Sequence, residues 1–556
     1  MEFVVFALFY VKIEDRRTKM KNSGIRSFVM AGALCALAVS CASGTKAKDS
    51  KAKKILYKYE NDETENPLPF ENNTEALDFI FDNNVLGKTT ITIPRSEWDT
   101  MLENYDSYYK NEIYVHADYR FEKGGKRWTM PDSGFRLRGN TTRVRPQGPD
   151  YTHSQGNHKW SNWQGLQGAS EDKYRQSSFK VSFDKFLSDD ATDEQKDAVK
   201  MAGCLKGMNL KRFQGDAAYI REIYSLDFMR HNGVWTAPRA SYTRLIIQIF
   251  EDTTDGTYSI LNYGIYEMFE EVGKQSLSER SKKTADAWTS TKGNLWKCQE
   301  KSDFTPYSIY KPEKDIGIDV LTANAEESRT YRYCLKTNKK NLEIASAELT
   351  AWINELAEID VLSEGGIEKA KAWFDSHMEV DLFLRTMACN VILGMDDDYW
   401  GNGNNFYLYF DTSEKGTGKL YMIPFDYDHT FGNPVSGDPV NKNPLAWGKA
   451  SGARPMDRPL MDKLIAIPEY KELYKKYLME FTAPGSYWAK ENSQERIRSW
   501  HKQIENYVAS PSLIYDHDTT KRIVDNGGYA MKRYFLLQEP NVWDGKRKAI
   551  EKAVGK

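Results

Sequence analysis

Two short strand-like runs, Asn405-Phe406-Tyr407-Leu408-Tyr409-Phe410 and Lys419-Leu420-Tyr421-Met422-Ile423-Pro424, flank a glycine-containing turn. Runs of this kind pair as a hairpin, which puts the entry to the first beside the exit from the second. Asn405 and Asp426 therefore share one end, with the acidic run Asp396-Asp397-Asp398 close by. Carboxylates and an amide oxygen converging there suit magnesium, which takes a few protein oxygens and completes its shell with phosphate and water. The same residues also suit an acidic turn that binds calcium or no ion, because Asp and Asn are ordinary turn residues.

Elements around the hairpin alternate, which predicts an α+β fold. Residues 89–94 read as a strand followed by a helix capped by Ser96, and a second strand carries Phe135, Arg136, Leu137 and Arg138 into Gly139-Asn140. Residues 143–176 are dense in Gly, Ser, Asn, Gln and Pro and read as a long mobile loop. A strand at 178–183 follows. Ile220, Ile223, Tyr224 and Phe228 then fall at helical spacing and stop at Gly233, and a further helix spans 380–393 before Gly394. From Arg458 onward the pattern is mostly helical.

Lys+Arg 77 against Asp+Glu 79 leaves a net charge of −2, so bulk electrostatics offers no reason to expect a nucleic-acid partner. The long apolar stretches lie within the first 41 residues, which excludes a polytopic membrane protein. Lys19, Lys21 and Arg26 precede the apolar run 28–39, as in an export signal, and Met20 would be the more ordinary start. Ala38-Val39-Ser40-Cys41 resembles a lipobox, with Cys41 as the lipidated residue, and residues 42–75 read as a solvated tether. The expectation is an exported lipoprotein of the cell envelope that meets membrane only through its anchor. Cys204, Cys298, Cys334 and Cys389 lack zinc spacing and suit either one or two disulfides or buried thiols.

An Asp, an Asn a few residues later, a hairpin and a second Asp are also the parts, in order, from which protein kinases build their metal site. Arg138-Gly139-Asn140-Thr141, Ser178-Phe179-Lys180-Val181, the stretch from Gly264 to Glu270, Asn405-Phe406-Tyr407-Leu408-Tyr409 and Ile423-Pro424-Phe425-Asp426-Tyr427-Asp428-His429-Thr430-Phe431-Gly432 resemble the spore-coat-protein-H (CotH) kinase family, in the family's order over roughly residues 86–480. The resemblance implies an atypical, bilobal protein-kinase-like fold, with a helical extension over 481–556. It implies ATP and Mg2+ as cofactors and a Ser or Thr of an exported or surface protein as acceptor, with the chain acting as a monomer. Lys180 takes the place of the strand lysine that contacts phosphates, and Glu270 that of its acidic partner or a metal-side carboxylate. Arg138 and Asn140 join them on the nucleotide side. Asp398 or Asp397 becomes the catalytic base, and Asp426, Asn405 and Asp428 the metal ligands.

The sequence departs from the family in having Phe425 where many members have Trp, and Gln176-Ser177 where basic residues are common. It has no G-x-G-x-x-G, which leaves loop 143–176 to cover the nucleotide. His429 is expected to pack or support, Lys206 either to assist the nucleotide or to stay solvated, and Trp160, Trp163 and Trp400 to pack and not to bind sugar. Two rival functions use the same site: a surface adhesin or assembly factor without turnover, and an AMP transferase.

Overall fold

The computed structural model describes residues 70–140, 142–149, 170–213, 216, 218–251, 256–431, 440, 442–449, 458–508 and 541–555. The export signal, Cys41, the tether up to residue 69, Thr141, Trp160, Trp163, Gly432 and residues 509–540 of the C-terminal extension lie outside them.

The tether reading ends earlier than expected, because helix α1 (Asn73–Ile80) already starts inside 42–75, capped by the Asn72 side chain accepting from the Glu75 N–H at 3.1 Å. Strand β1 (Gly87–Pro94) passes directly into α2 (Arg95–Ser107). Pro94, and not Ser96, stands at that junction: its extended backbone ends the strand, and no side chain caps the helix. β2 (Val115–Lys123), β3 (Lys126–Leu137) and β4 (Phe179–Ser182) follow, then α3 (Asp193–Ala198) and β5 (Gly207–Lys211). α4 (Arg221–His231), whose apolar side chains join the larger of the two cores, precedes β6 (Ala240–Phe250) and β7 (Tyr258–Phe269), which complete the strands of the first lobe.

Its strands close into a barrel in the order β1-β2-β3-β4-β5-β7-β6. The closing seam is parallel, from Gly87↔Thr243 to Pro94↔Phe250, and every other neighbour pair in the barrel is antiparallel. Ile91, Phe121, Phe135, Phe179, Val181, Leu210, Ile247 and Tyr266 are buried in one continuous core. Strand alternation sends Phe179 and Val181 into that core and leaves Lys180 on the other face.

Loop 143–176 is anchored at its base. Gly148 donates to the Lys173 carbonyl at 2.9 Å and Arg175 to that of Pro146 at 3.0 Å, while the Gln147 side chain accepts from Trp98 Nε1 at 2.7 Å. The described ends of the loop thus zip together against α2, because their backbone groups find each other before solvent.

The second lobe opens with α5 (Lys274–Arg280) and β8 (Asn294–Cys298), then α6 (Pro312–Asp315), β9 (Ile316–Gly317) and β10 (Tyr333–Leu335). α7 (Leu342–Glu358), α8 (Gly366–His377) and α9 (Val380–Leu393) lead to β11 (Phe406–Phe410) and β12 (Leu420–Pro424). These strands form a sheet ordered β12-β11-β8-β10-β9. α10 (Pro459–Ala466), α11 (Pro468–Phe481), α12 (Lys490–Ile504) and α13 (Lys546–Val554) pack into the same large core. α9 ends as expected at Gly394, whose φ of 72° only glycine adopts without strain. Trp400 is buried in this core. The two cores make the α+β fold two-lobed. The four described cysteines are all free and buried, which settles them as packed thiols. Among the described residues no helix is long and apolar enough to cross a membrane.

Glu270 belongs to the scaffold. Its carboxylate takes both Arg280 amino groups, at 2.6 and 3.0 Å, and the Arg239 N–H at 3.1 Å. Burial pushes the group up, but Arg280 and Arg239 outweigh this and hold it at about 2. Glu270→Gln should therefore cost about 3 kcal/mol in urea unfolding, the scale of breaking a buried pair. Because the folded value lies below the ordinary 4.5, this stabilisation is complete above that pH and is lost as pH falls toward 2. The wild-type advantage over the variant should shrink over that window.

Candidate functional site

The expected hairpin forms, with Tyr407↔Ile423 and Phe406↔Pro424 as its last pairs, and the Phe425 N–H donates to the Asn405 carbonyl at 3.2 Å. Asn405 and Asp426, side by side beyond that end, both have left-handed backbones, φ 57° and 62°. Such conformations cost non-glycine residues on the order of 1 kcal/mol each and persist where surrounding contacts enforce them.

Those contacts come from two sides. On one side the acidic run is knotted with amides. The Asp397 carboxylate accepts from Asn402 at 2.8 Å, from Asn404 at 3.2 Å and from Asn405 Nδ2 at 2.9 Å. Using its Nδ2 in this way leaves the Asn405 amide oxygen for another partner. Asp398 is 2 % exposed and points inward, accepting from Asn390 Nδ2 at 2.5 Å and from the Gly401 N–H at 2.7 Å. The other end of the Asn390 amide accepts from Tyr427 Oη at 2.7 Å, so one side chain of α9 ties the loop to the segment after the hairpin. Burial pushes Asp397 and Asp398 up to about 6. Of the two, Asp397 is only half-buried, whereas Asp398 is sealed in as a loop anchor.

On the other side stands Lys211, the last residue of β5, with 5 % of its side chain exposed. Its ammonium lies 2.5 Å from Glu222 Oε2 on α4, 2.5 Å from Asp426 Oδ1 and 3.2 Å from Asp428 Oδ2. Burial alone would lower the lysine, but Asp426, Asp428 and Glu222 hold it well above its ordinary value. Burial likewise raises Asp426, and Lys211, Arg138 and Lys297 more than reverse this, to about 2. Burial raises Glu222, and Asp426 and Asp428 add to the rise. The helix carrying Glu222 is fixed by Asp216, which accepts from the backbone N–H groups of Ile220 and Arg221 at 2.8 and 2.7 Å. Arg221 Nε in turn donates to the Thr430 carbonyl at 2.8 Å. Burial would lower His429, yet Asp428, Asp397 and Asp396 outweigh this and raise it.

The structure thus brings together Asp397, Asn405, Asp426 and Asp428 of the expected set and places Arg138 within their field. Lys180 does not join them. It pairs with Glu271 and lies opposite Asn209, two residues short of Lys211 along β5. Glu270 is not its partner, being held by Arg280, and Asn140 is exposed past the end of β3. Lys206 is ion-paired to Asp184 at 3.2 Å. Sequence reading missed Lys211 and Glu222. The signal was a strand ending in lysine, Met208-Asn209-Leu210-Lys211, followed eleven positions later by a glutamate in the next helix.

Two carboxylates converging on a point, beside a free amide oxygen, fit Mg2+, which needs one or two protein carboxylates and takes its remaining oxygens from phosphate and water. Among the described residues no group of three or more His, Cys, Asp or Glu side chains is assembled as a closed metal cage.

A strand lysine paired to a helix glutamate, an aspartate after a hairpin and an asparagine before it, set between a strand-built lobe and a helical lobe, define a protein-kinase-like fold. The sequence matches the family described as CotH kinase protein over residues 165–528, well over half of the chain, and the protein belongs to that family. β1 to β3 and the Arg138-Gly139-Asn140 stretch precede the matched residues. A search of curated proteins gives no match.

Lys211→Met should lower stability by about 3 kcal/mol, since it strands three carboxylates around one lost charge. Lys180→Met should change it by less than about 0.5 kcal/mol, because Glu271 is largely in solvent. Paired urea titrations at neutral pH read both; equal effects would contradict the distinction.

Proposed function

We propose that this kinase-family protein is an ATP- and Mg2+-dependent enzyme that transfers the γ-phosphoryl group to a Ser or Thr hydroxyl of an exported or surface protein. The observation that carries the reading is the Lys211 ammonium shared between Glu222 and Asp426, the arrangement that kinases use to hold phosphates beside the metal aspartate. Lys211 binds the nucleotide's phosphate oxygens and Glu222 keeps it in position. Asp426, Asp428 and the Asn405 amide oxygen would hold Mg2+, whose chemistry when bound is to neutralise charge on the transferring group. Asp397 orients the acceptor hydroxyl and takes its proton, while Asp398 and Asn390 hold the loop that carries it. Catalysis on this scheme is positioning and charge stabilisation. The export signal and Cys41 support a lipid-anchored place in the cell envelope.

Incubation with labelled ATP tests the reading. γ-Label on protein supports it; α-label would mean AMP transfer, and no label a binding role on the same fold. Asp426→Asn should abolish Mg2+-dependent ATP binding and transfer together, because an amide cannot replace a carboxylate's charge. Asp397→Asn should keep nucleotide affinity within a few fold and lower turnover about 100-fold. The base works ionised and its value is about 6, so wild-type turnover should fall as pH drops through that value. A pH profile flat from 5 to 8, within about twofold, would remove Asp397 from the role.

A further inference from the structure

Most cations buried near the cleft have evident partners. Arg136 pairs with Glu112 at 3.0 Å, and Arg143 donates to the carbonyls of Tyr109 and Asn111 at 3.0 and 2.7 Å. Arg138 and Lys297 differ. Among the described residues neither side chain has a hydrogen-bond or ion-pair partner, and each rests instead on an aromatic ring. The Arg138 guanidinium lies 4.7 Å from the centre of Phe269, and the Lys297 ammonium 5.6 Å from that of Phe425. The two rings meet edge to face, 6.1 Å apart, and Phe425 packs in turn on Tyr407 at 5.2 Å. One cation follows β3 of the barrel and the other lies in β8 of the second sheet, so the pair spans the two lobes beside Asp426.

Half-buried cations in direct contact with no counter-ion are costly, and a ring face offsets only part of that cost. Burial and then Lys336 pull the Lys297 ammonium down, Arg138 adds to the fall, and the charges of Asp426 and Asp319 offset only part of it. An anion entering between the lobes would relieve each of these at once. We propose that Arg138 and Lys297 form an anion clamp for a polyphosphate chain, holding it between the lobes beside Asp426. This rests on the nucleotide reading for the identity of the natural ligand, and it adds Lys297 as a phosphate-binding residue supplied by the helical lobe. Free inorganic polyphosphate shares the recognised chemistry. The aliphatic stem of Lys297 supplies packing that methionine can replace.

Calorimetry on the full chain with inorganic tripolyphosphate, and separately with ATP and Mg2+, tests the clamp. Wild type should bind tripolyphosphate, Lys297→Met should weaken that binding by about tenfold or more, and Lys297→Arg should restore it. The unliganded melting temperature of Lys297→Met should be no lower than that of wild type, since the substitution removes a costly half-buried charge and breaks no ion pair. Tripolyphosphate binding lost in Lys297→Met, with no ATP binding by wild type, would support the clamp while failing the nucleotide reading. Unchanged tripolyphosphate binding in Lys297→Met, or none in wild type, would overturn the clamp even if ATP binds normally.

Discussion

One ammonium group holds the two halves of this molecule in register. Lys211 ends a barrel strand, and its three carboxylate partners come from the helix beside the barrel and from the exit of the hairpin in the other lobe. A buried lysine cannot keep its charge without such company, and carboxylates this close repel one another unless a cation stands between them. Each group therefore requires the others, and the strained backbone at Asp426 is held because its side chain has this one place to go.

The acidic run shows how adjacent, chemically identical residues acquire different roles. Asp397 and Asp398 are neighbours with the same tendency to be raised by burial, yet one collects asparagine amides at the site and the other turns inward to Asn390 and Gly401. Composition cannot distinguish them. The direction each side chain takes depends on the loop's path, which is set by distant anchors such as the Arg458 guanidinium donating to the Tyr399 and Gly401 carbonyls at 2.6 and 2.7 Å.

What could be read in advance follows the range of the forces involved. The hairpin, the helix ending at Gly394 and the strand at 179–182 rest on local periodicity and turn chemistry, and all are present. The neighbourhood of Asn405 and Asp426 was legible for the same reason, since hairpin pairing alone brings the two together. That Lys211 and not Lys180 reaches Asp426 was not legible, because the two lie on adjacent strands and, with Lys180 opposite Asn209, on the same face, so periodicity cannot choose between them. Glu270 shows the complementary failure, where a family motif marks a carboxylate that packs against two arginines.

The parallel seam has a consequence for how the chain comes to be folded. Thr89 Oγ1 meets Thr243 Oγ1 at 2.9 Å across 154 positions of sequence, so the first strand has no permanent neighbour on one edge until the sixth has been synthesised. At translation speeds of roughly 5–20 residues per second, that edge stays open for on the order of ten seconds. An uncovered strand with alternating apolar residues is a template for pairing with another nascent chain. The β1–β2–β3 meander thus depends on being shielded while the rest is made, and the exposed lysine at its edge, Lys88, paired to Glu122 on β2, is the kind of charge that discourages such pairing.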